Sequence, residues 1–339
     1  MRVRLRFLLS FVGTILALAC AASELPAKNV VVTHEERSRL EKLPEMVFVV
    51  RYPKGKQVGD PVSGMVADIT FEGDPKKIIQ RLSGPAQTPL FKFAEKHQLA
   101  VVSWTTTTVY SIAESFKWSE EQARARDNKM EVAAREWEDG MYDLCKKYKL
   151  PKDGYLMYGL SRGAQWAHRI ALRYPEYFLA VHAHVNSSYE TPVENANICL
   201  WLITTGELEW GFPAAKQFYR MAQKLNYPIV FKAQPNLGHQ GSREISELGV
   251  AFFEYALELR KRYADLKQAV ADDPFKSHVR FPKLGFPEEL LKGFVDPPFY
   301  GDLINEDVVK AEEKNRIPED LRVGLPSKNV AKAYGYFSE

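Results

Sequence analysis

Apolar residues fall along the chain in two alternating patterns. From about Val66 to Arg262, short continuous apolar runs are separated by segments with helical spacing. Runs of this kind bounded by turn residues predict strands buried on both faces, and helices between them predict a parallel sheet. Val66 to Phe71 reads as a strand, closed by Glu72-Gly73-Asp74-Pro75, and a helix follows through Pro89 to His97. Leu99 to Trp104 is the next strand. Trp137, Met141, Leu144, Cys145 and Tyr148 then make one helical stripe. Tyr155 to Tyr158 is a strand, followed by a helix to Arg173. Leu179 to Val185, Cys199 to Thr205 and Pro228 to Ala233 are the remaining strands. Leu248, Ala251, Phe252, Tyr255, Ala256 and Leu259 form a last amphipathic helix. The pattern predicts a three-layer α/β/α sandwich with a mostly parallel sheet.

Two regions flank this core. Residues 24 to about 60 predict an antiparallel edge hairpin, with Met46 to Tyr52 as one strand. Residues 263–339 are proline-rich and predict an extension that wraps the core. Short helices are expected from Pro287, a good first-turn residue, and after Asn305. The aromatic run Phe294 to Tyr300 either rims a site or straps the surface. The core domain is bounded as 24–262. The segment between the Val185 and Cys199 strands is too short for a large lid.

The first nineteen residues stand apart. Arg2, Arg4 and Arg6 precede an apolar stretch, Phe7 to Leu18, and small residues follow at Ala17 and Ala19. This order is that of a cleaved export signal, 1–19, and places the chain outside the cytoplasm, secreted or periplasmic. Cys20 would be the lipid-bearing residue of a lipoprotein, the one route to a membrane partner. Without the signal, 43 basic residues face 43 acidic ones. Neither that balance nor any basic stripe favours a nucleic-acid partner. Cys145 and Cys199 either pair, as export permits, or remain two core thiols. No Cys/His spacing marks a metal site, and no cofactor is expected.

The chemistry centres on Gly159-Leu160-Ser161-Arg162-Gly163. The pattern G-x-S-x-G arises by chance in about one chain in ten of this size, so its context decides. Here it follows a strand and opens a helix, as a nucleophile elbow must. Glycines let the backbone pass close to backbone, and the turn presents Ser161 Oγ with the Arg162 amide aimed at a developing oxyanion. His239, in Pro235-Asn236-Leu237-Gly238-His239-Gln240, follows the last strand. Imidazole is the side chain able to take the Ser proton near neutral pH. His168 reads as a packed residue. His182 and His184 alternate on one strand and fit no metal set. Thr105 to Thr108 sit at the carboxyl end of the sheet, where open α/β folds bind ligands.

In its order of Ser elbow, acid and His, each after its own strand, the chain resembles the α/β-hydrolase superfamily over about residues 60–262. The resemblance implies a Ser-His-acid triad that cleaves an acyl ester through an acyl-enzyme. The superfamily usually places an Asp three residues after a Gly that ends a strand. In Gly206-Glu207-Leu208-Glu209-Trp210 that position is Glu209, with Glu207 as competitor. A second oxyanion amide is expected at Gly73, where the sequence lacks the His-Gly-Gly type of loop. The Ser-Arg-Gly-Ala-Gln elbow and missing lid resemble secreted esterases of the polyhydroxybutyrate depolymerase and feruloyl esterase type. The expected partner is a small or polymeric ester. A serine peptidase of the same fold and a non-catalytic binding protein on a hydrolase scaffold are the alternatives.

Overall fold

A computed structural model describes residues 30–34, 46–69, 74–84, 88–105, 120–271 and 285–337. The core elements follow in chain order: β1 (Val30–His34), β2 (Val47–Arg51), β3 (Gly64–Ile69), α1 (Pro75–Ser83), α2 (Pro89–Lys96), β4 (Leu99–Trp104) and α3 (Glu120–Tyr148). They continue with β5 (Tyr155–Leu160), α4 (Arg162–Arg173), β6 (Phe178–His184), β7 (Leu200–Gly206), α5 (Phe212–Lys224), β8 (Ile229–Gln234) and α6 (Arg243–Ala271).

One eight-stranded sheet runs in the order β1-β2-β4-β3-β5-β6-β7-β8. Strands β3 to β8 pair in parallel; β1 with β2, and β2 with β4, pair antiparallel at one edge. Every residue of β3, β4, β6 and β7 is buried, because helices cover both faces. On one face α2 meets α6 through Phe93 and Phe253, whose rings are 6.1 Å apart. On the other, Trp137 of α3 stacks on Phe178 at 5.7 Å. The three-layer α/β/α sandwich is therefore as the apolar pattern predicts.

The segment between Ile69 and β4 holds two described helices, α1 and α2. Each has a polar cap and a proline in its first turn. Asp74 accepts from the Lys76 amide, and Thr88 from the Phe91 amide. Strand β3 starts at Gly64, two residues before the apolar run; Thr70 to Gly73 lie outside the described residues.

Beyond residue 262, α6 continues to Ala271. Residues 285–337 then build a second, four-stranded sheet rather than the two helices expected. Its elements are α7 (Lys292–Val295), β9 (Phe299–Asp302), β10 (Asp307–Lys310), β11 (Arg322–Leu325), α8 (Lys328–Tyr334) and β12 (Tyr336–Phe337), with strand order β11-β9-β10-β12. Pro287 caps a single 3-10 turn, Glu288–Leu290, instead of opening a helix. The helix expected after Asn305 is the strand β10. Asp302 explains why: its carboxylate accepts from the Ile304 and Asn305 amides and closes a tight turn. Val308 and Val309 then pair antiparallel with β9 and bury themselves. Buried Lys232 of β8 ties this sheet to the core by pairing with Glu306 at 2.6 Å and donating to the Tyr334 carbonyl. The aromatic run contributes to this docking. The Phe294 ring lies edge-on to Tyr255 of α6 at 5.9 Å, and Phe299 packs on Phe337 at 5.1 Å.

Candidate active site

Ser161 sits between β5 and α4 with φ 56° and ψ −118°, a left-handed backbone that a side chain adopts only at a cost. The turn is tight enough to require both flanking glycines. A Cβ on Gly159 would come 2.3 Å from the Gly163 carbonyl oxygen, and one on Gly163 would come 2.0 Å from that of Ile69. The Ser161 amide donates to the His184 carbonyl at 2.9 Å, which pins the elbow to β6. Arg162 opens α4, so its amide belongs to the first turn, at the positive end of the helix dipole. Gly73, the other expected amide, lies outside the described residues, as do Thr106 to Thr108. Thr105 is buried and spends its hydroxyl on the Val47 amide.

Ser161 Oγ lies 2.7 Å from His239 Nε2, and His239 Nδ1 lies 2.9 Å from Glu209 Oε2. The carboxylate is fully buried, whereas the imidazole is 44% exposed. The charge is thus shielded from water while the ring edge beside Ser161 stays reachable. Glu209 Oε1 also accepts from the Gly211 amide at 3.4 Å, and Gly211 opens onto α5.

The acid and base loops are laced together by main chain. The Glu207 amide donates to Gln234, and the Leu208 amide to Leu237, each at 2.9 Å. Gly206 makes that crossing possible, because a Cβ there would come 2.0 Å from the Leu237 carbonyl oxygen. Glu207 has another task. It is exposed, and its carboxylate accepts from the Asn236 amide at 3.2 Å, two residues before Gly238. Of the two candidate acids, then, the buried Glu209 is the one beside His239.

The fold is that of the α/β-hydrolases. Strand order and the strand–turn–helix around Ser161 carry that statement. No protein-family model matches the chain, and no curated protein does. Among solved structures it is similar to a thermostable esterase, at 12% identity and TM-score 0.45, over 61% of this chain and 55% of that one. It is similar to a ferulic acid esterase from the anaerobic fungus Anaeromyces mucronatus, at 14% identity and TM-score 0.47, over 67% and 89%. It is also similar to a Bacillus cereus carboxylesterase, at 15% identity and TM-score 0.46, over 61% and 93%. The chain spans about half the length of the first of these.

Three other histidines, His168, His182 and His184, are buried. His168 accepts from the Glu190 amide at 3.1 Å and bonds the Ala164 carbonyl at 3.0 Å, a packed residue of α4. Burial holds its pKa well below the usual histidine value, and the same holds for His182. Desolvation likewise lowers His184 to about 4. All three rings are therefore neutral near pH 7. Sequence reading missed that His184 touches the elbow. Its signal, the His-Ala-His alternation on β6, was visible but pointed only to a shared face.

Cys145 and Cys199 are two separate buried thiols, bonded to the carbonyls of Pro151 and Ala196 respectively. Burial raises both pKa values, which suppresses thiolate chemistry. Among the described residues, no cluster of His, Cys, Asp and Glu could hold a metal ion. No described helix is long and apolar enough to cross a membrane.

Proposed function

We propose that this chain is a serine hydrolase that cleaves an acyl ester. The observation that carries the reading is the unbroken series Glu209–His239–Ser161, with contacts of 2.9 and 2.7 Å and its carboxylate buried. Ser161 Oγ attacks the acyl carbonyl carbon while His239 Nε2 takes the hydroxyl proton. Glu209 holds the tautomer with Nδ1–H and stabilises the imidazolium that forms. The Arg162 amide, with Gly73 as second donor, holds the oxyanion. The tetrahedral intermediate collapses, and His239 gives its proton to the departing alkoxide. Water then enters, loses a proton to His239 and attacks the acyl-Ser161 carbonyl. Collapse releases the carboxylic acid and returns the proton to Ser161.

An ester is the proposed substrate, and the site is open to a bulky one: no large lid lies over it among the described residues, and His239 is partly exposed. Exposed Leu208 and Trp210 flank the buried acid and offer apolar surface to an acyl or aromatic group. Residues 1–19 act in this reading as an export signal. The test is a hydrolysis screen of the mature protein, covering acyl esters of graded length, hydroxycinnamoyl and acetylated sugars, and peptide amides, together with fluorophosphonate labelling. Ester turnover with covalent labelling of Ser161 is expected. Turnover of amides alone would make the protein a peptidase, and neither turnover nor labelling would make it a binding protein.

A further inference from the structure

We infer that His184 is a positioning residue that ties the Ser161 elbow to the His239 loop, and that a buried chain from His182 through Thr204 fixes its imidazole. The inference rests on the hydrolase reading above. His184 is in contact with both halves of the proposed reaction centre. Its carbonyl accepts the Ser161 amide at 2.9 Å. Its ring Nε2 lies 3.1 Å from the carbonyl of Gln240, the residue next to His239.

The direction of every bond in the chain follows from that last contact. A carbonyl only accepts, so His184 Nε2 carries the proton. The ring is fully buried and neutral, with its pKa held near 4 by desolvation, so Nδ1 carries none. Nδ1 lies 2.9 Å from Thr204 Oγ1 and accepts the one hydroxyl proton. Thr204 has then no proton left for His182 Nε2, 2.7 Å away, so it accepts from that nitrogen. His182 is neutral too, and its Nδ1 is a bare acceptor. The result is one self-consistent series: His182 Nε2–H to Thr204, Thr204 O–H to His184, His184 Nε2–H to Gln240. Low dielectric strengthens each of these bonds.

The far end of the series is braced mechanically. The His182 ring is flanked by Tyr158 at 5.1 Å and Phe253 at 6.4 Å. A Cβ on Gly249 of α6 would come 2.6 Å from His182 Nδ1, so helix backbone stands directly behind the ring. His182 therefore cannot retreat, Thr204 cannot turn, and the His184 ring keeps one orientation. The loop carrying His239 needs such a brace because its imidazole is 44% exposed, with one ring nitrogen at Ser161 and the other at Glu209. Displacement of a reacting group by about 1 Å costs on the order of a hundredfold in rate.

The test uses the full mature chain and two substitutions at a buried strand position, where either residue fits. Thr204→Val removes the hydroxyl and keeps the shape; Thr204→Ser keeps the hydroxyl. The Val variant is expected to lose about ten- to a hundredfold in kcat with KM little changed, and to label with fluorophosphonate more slowly by the same factor. The Ser variant should recover most of that loss. Ring nitrogen NMR of the unaltered protein should find both His182 and His184 as Nε2–H tautomers. Wild-type kcat and labelling in Thr204→Val, or an Nδ1–H tautomer at His184, would overturn the inference alone. A wild-type protein that neither hydrolyses esters nor labels would overturn the hydrolase reading and this inference with it.

Discussion

Glu209 Oε2 stands 2.9 Å from His239 Nδ1, its carboxylate inaccessible to water, while Glu207, two residues earlier, is exposed and bonded to the Asn236 amide. The two carboxylates therefore separate by substitution. Glu209→Gln is expected to cut ester turnover by roughly 10³–10⁴, since an amide favours the wrong imidazole tautomer. Glu207→Gln should cost far less, because an amide oxygen still accepts from Asn236. Steady-state kinetics on one ester substrate checks both. The opposite order would transfer the role to Glu207.

Ser161 offers two readouts from one position. Ser161→Ala should abolish fluorophosphonate labelling and lower turnover on the order of a thousandfold or more. Ser161→Gly should do the same to activity and yet raise stability, by about 1 kcal/mol, because φ 56° is strained for serine and relaxed for glycine. Chemical denaturation of the two variants in parallel measures the difference. A Gly variant less stable than the Ala variant would show that the elbow stores no strain.

The sheet and the elbow are legible in the sequence because their signals are local. Strands buried on both faces read as unbroken apolar runs, and Gly159, Ser161 and Gly163 announce their turn within five residues. The acid was legible as Glu209 from its place three residues after Gly206, with Glu207 as competitor. What separates Glu209 from Glu207 is burial, and burial depends on Gly206 crossing Leu237, a contact 31 positions away in sequence. The second sheet was not legible at all. Its strands span four residues or fewer, and a helical charge pattern around Glu306 to Lys314 outweighed two valines. His184 was hidden for a different reason: half of its contact with the site is its main-chain carbonyl, on which the side chain identity says nothing.

Gly206→Ala should separate the acid loop from the base loop. Its Cβ would meet the Leu237 carbonyl oxygen at 2.0 Å, and neither backbone can yield cheaply. A destabilisation of about 1–3 kcal/mol is expected, with a fall in turnover from the displaced Glu209. Gly241→Ala is the control, since nothing lies within 4 Å of a Cβ there. Equal stability of the two variants would refute the crossing as a constraint.

Export predicts a mature chain that begins after Ala19. Mass spectrometry of the protein from its native host should find the first nineteen residues removed. An N-terminus still at Met1 would rule out cleavage, and a lipid-modified Cys20 would assign the protein to a membrane surface.

The buried histidines predict how stability depends on pH. His184 binds its proton near pH 4 when folded, against an ordinary value of 6.5 once unfolded, because burial desolvates the charged ring. Between those values the unfolded chain holds the proton and the folded one does not. Unfolding is then favoured as acid is added, so this stability is complete above pH 6.5, declines as pH falls towards 4, and is lost below it. The contribution of His184 is about 3 kcal/mol at one pKa unit per 1.4 kcal/mol. His168 and His182 are shifted in the same direction by the same cause and add to the slope. Urea midpoints taken from pH 7.5 to 4 should fall steeply, and His184→Gln, which keeps a donor near the Gln240 carbonyl but cannot titrate, should flatten the curve. A variant that follows the wild-type slope would show that His184 is not the neutral, buried ring its surroundings dictate.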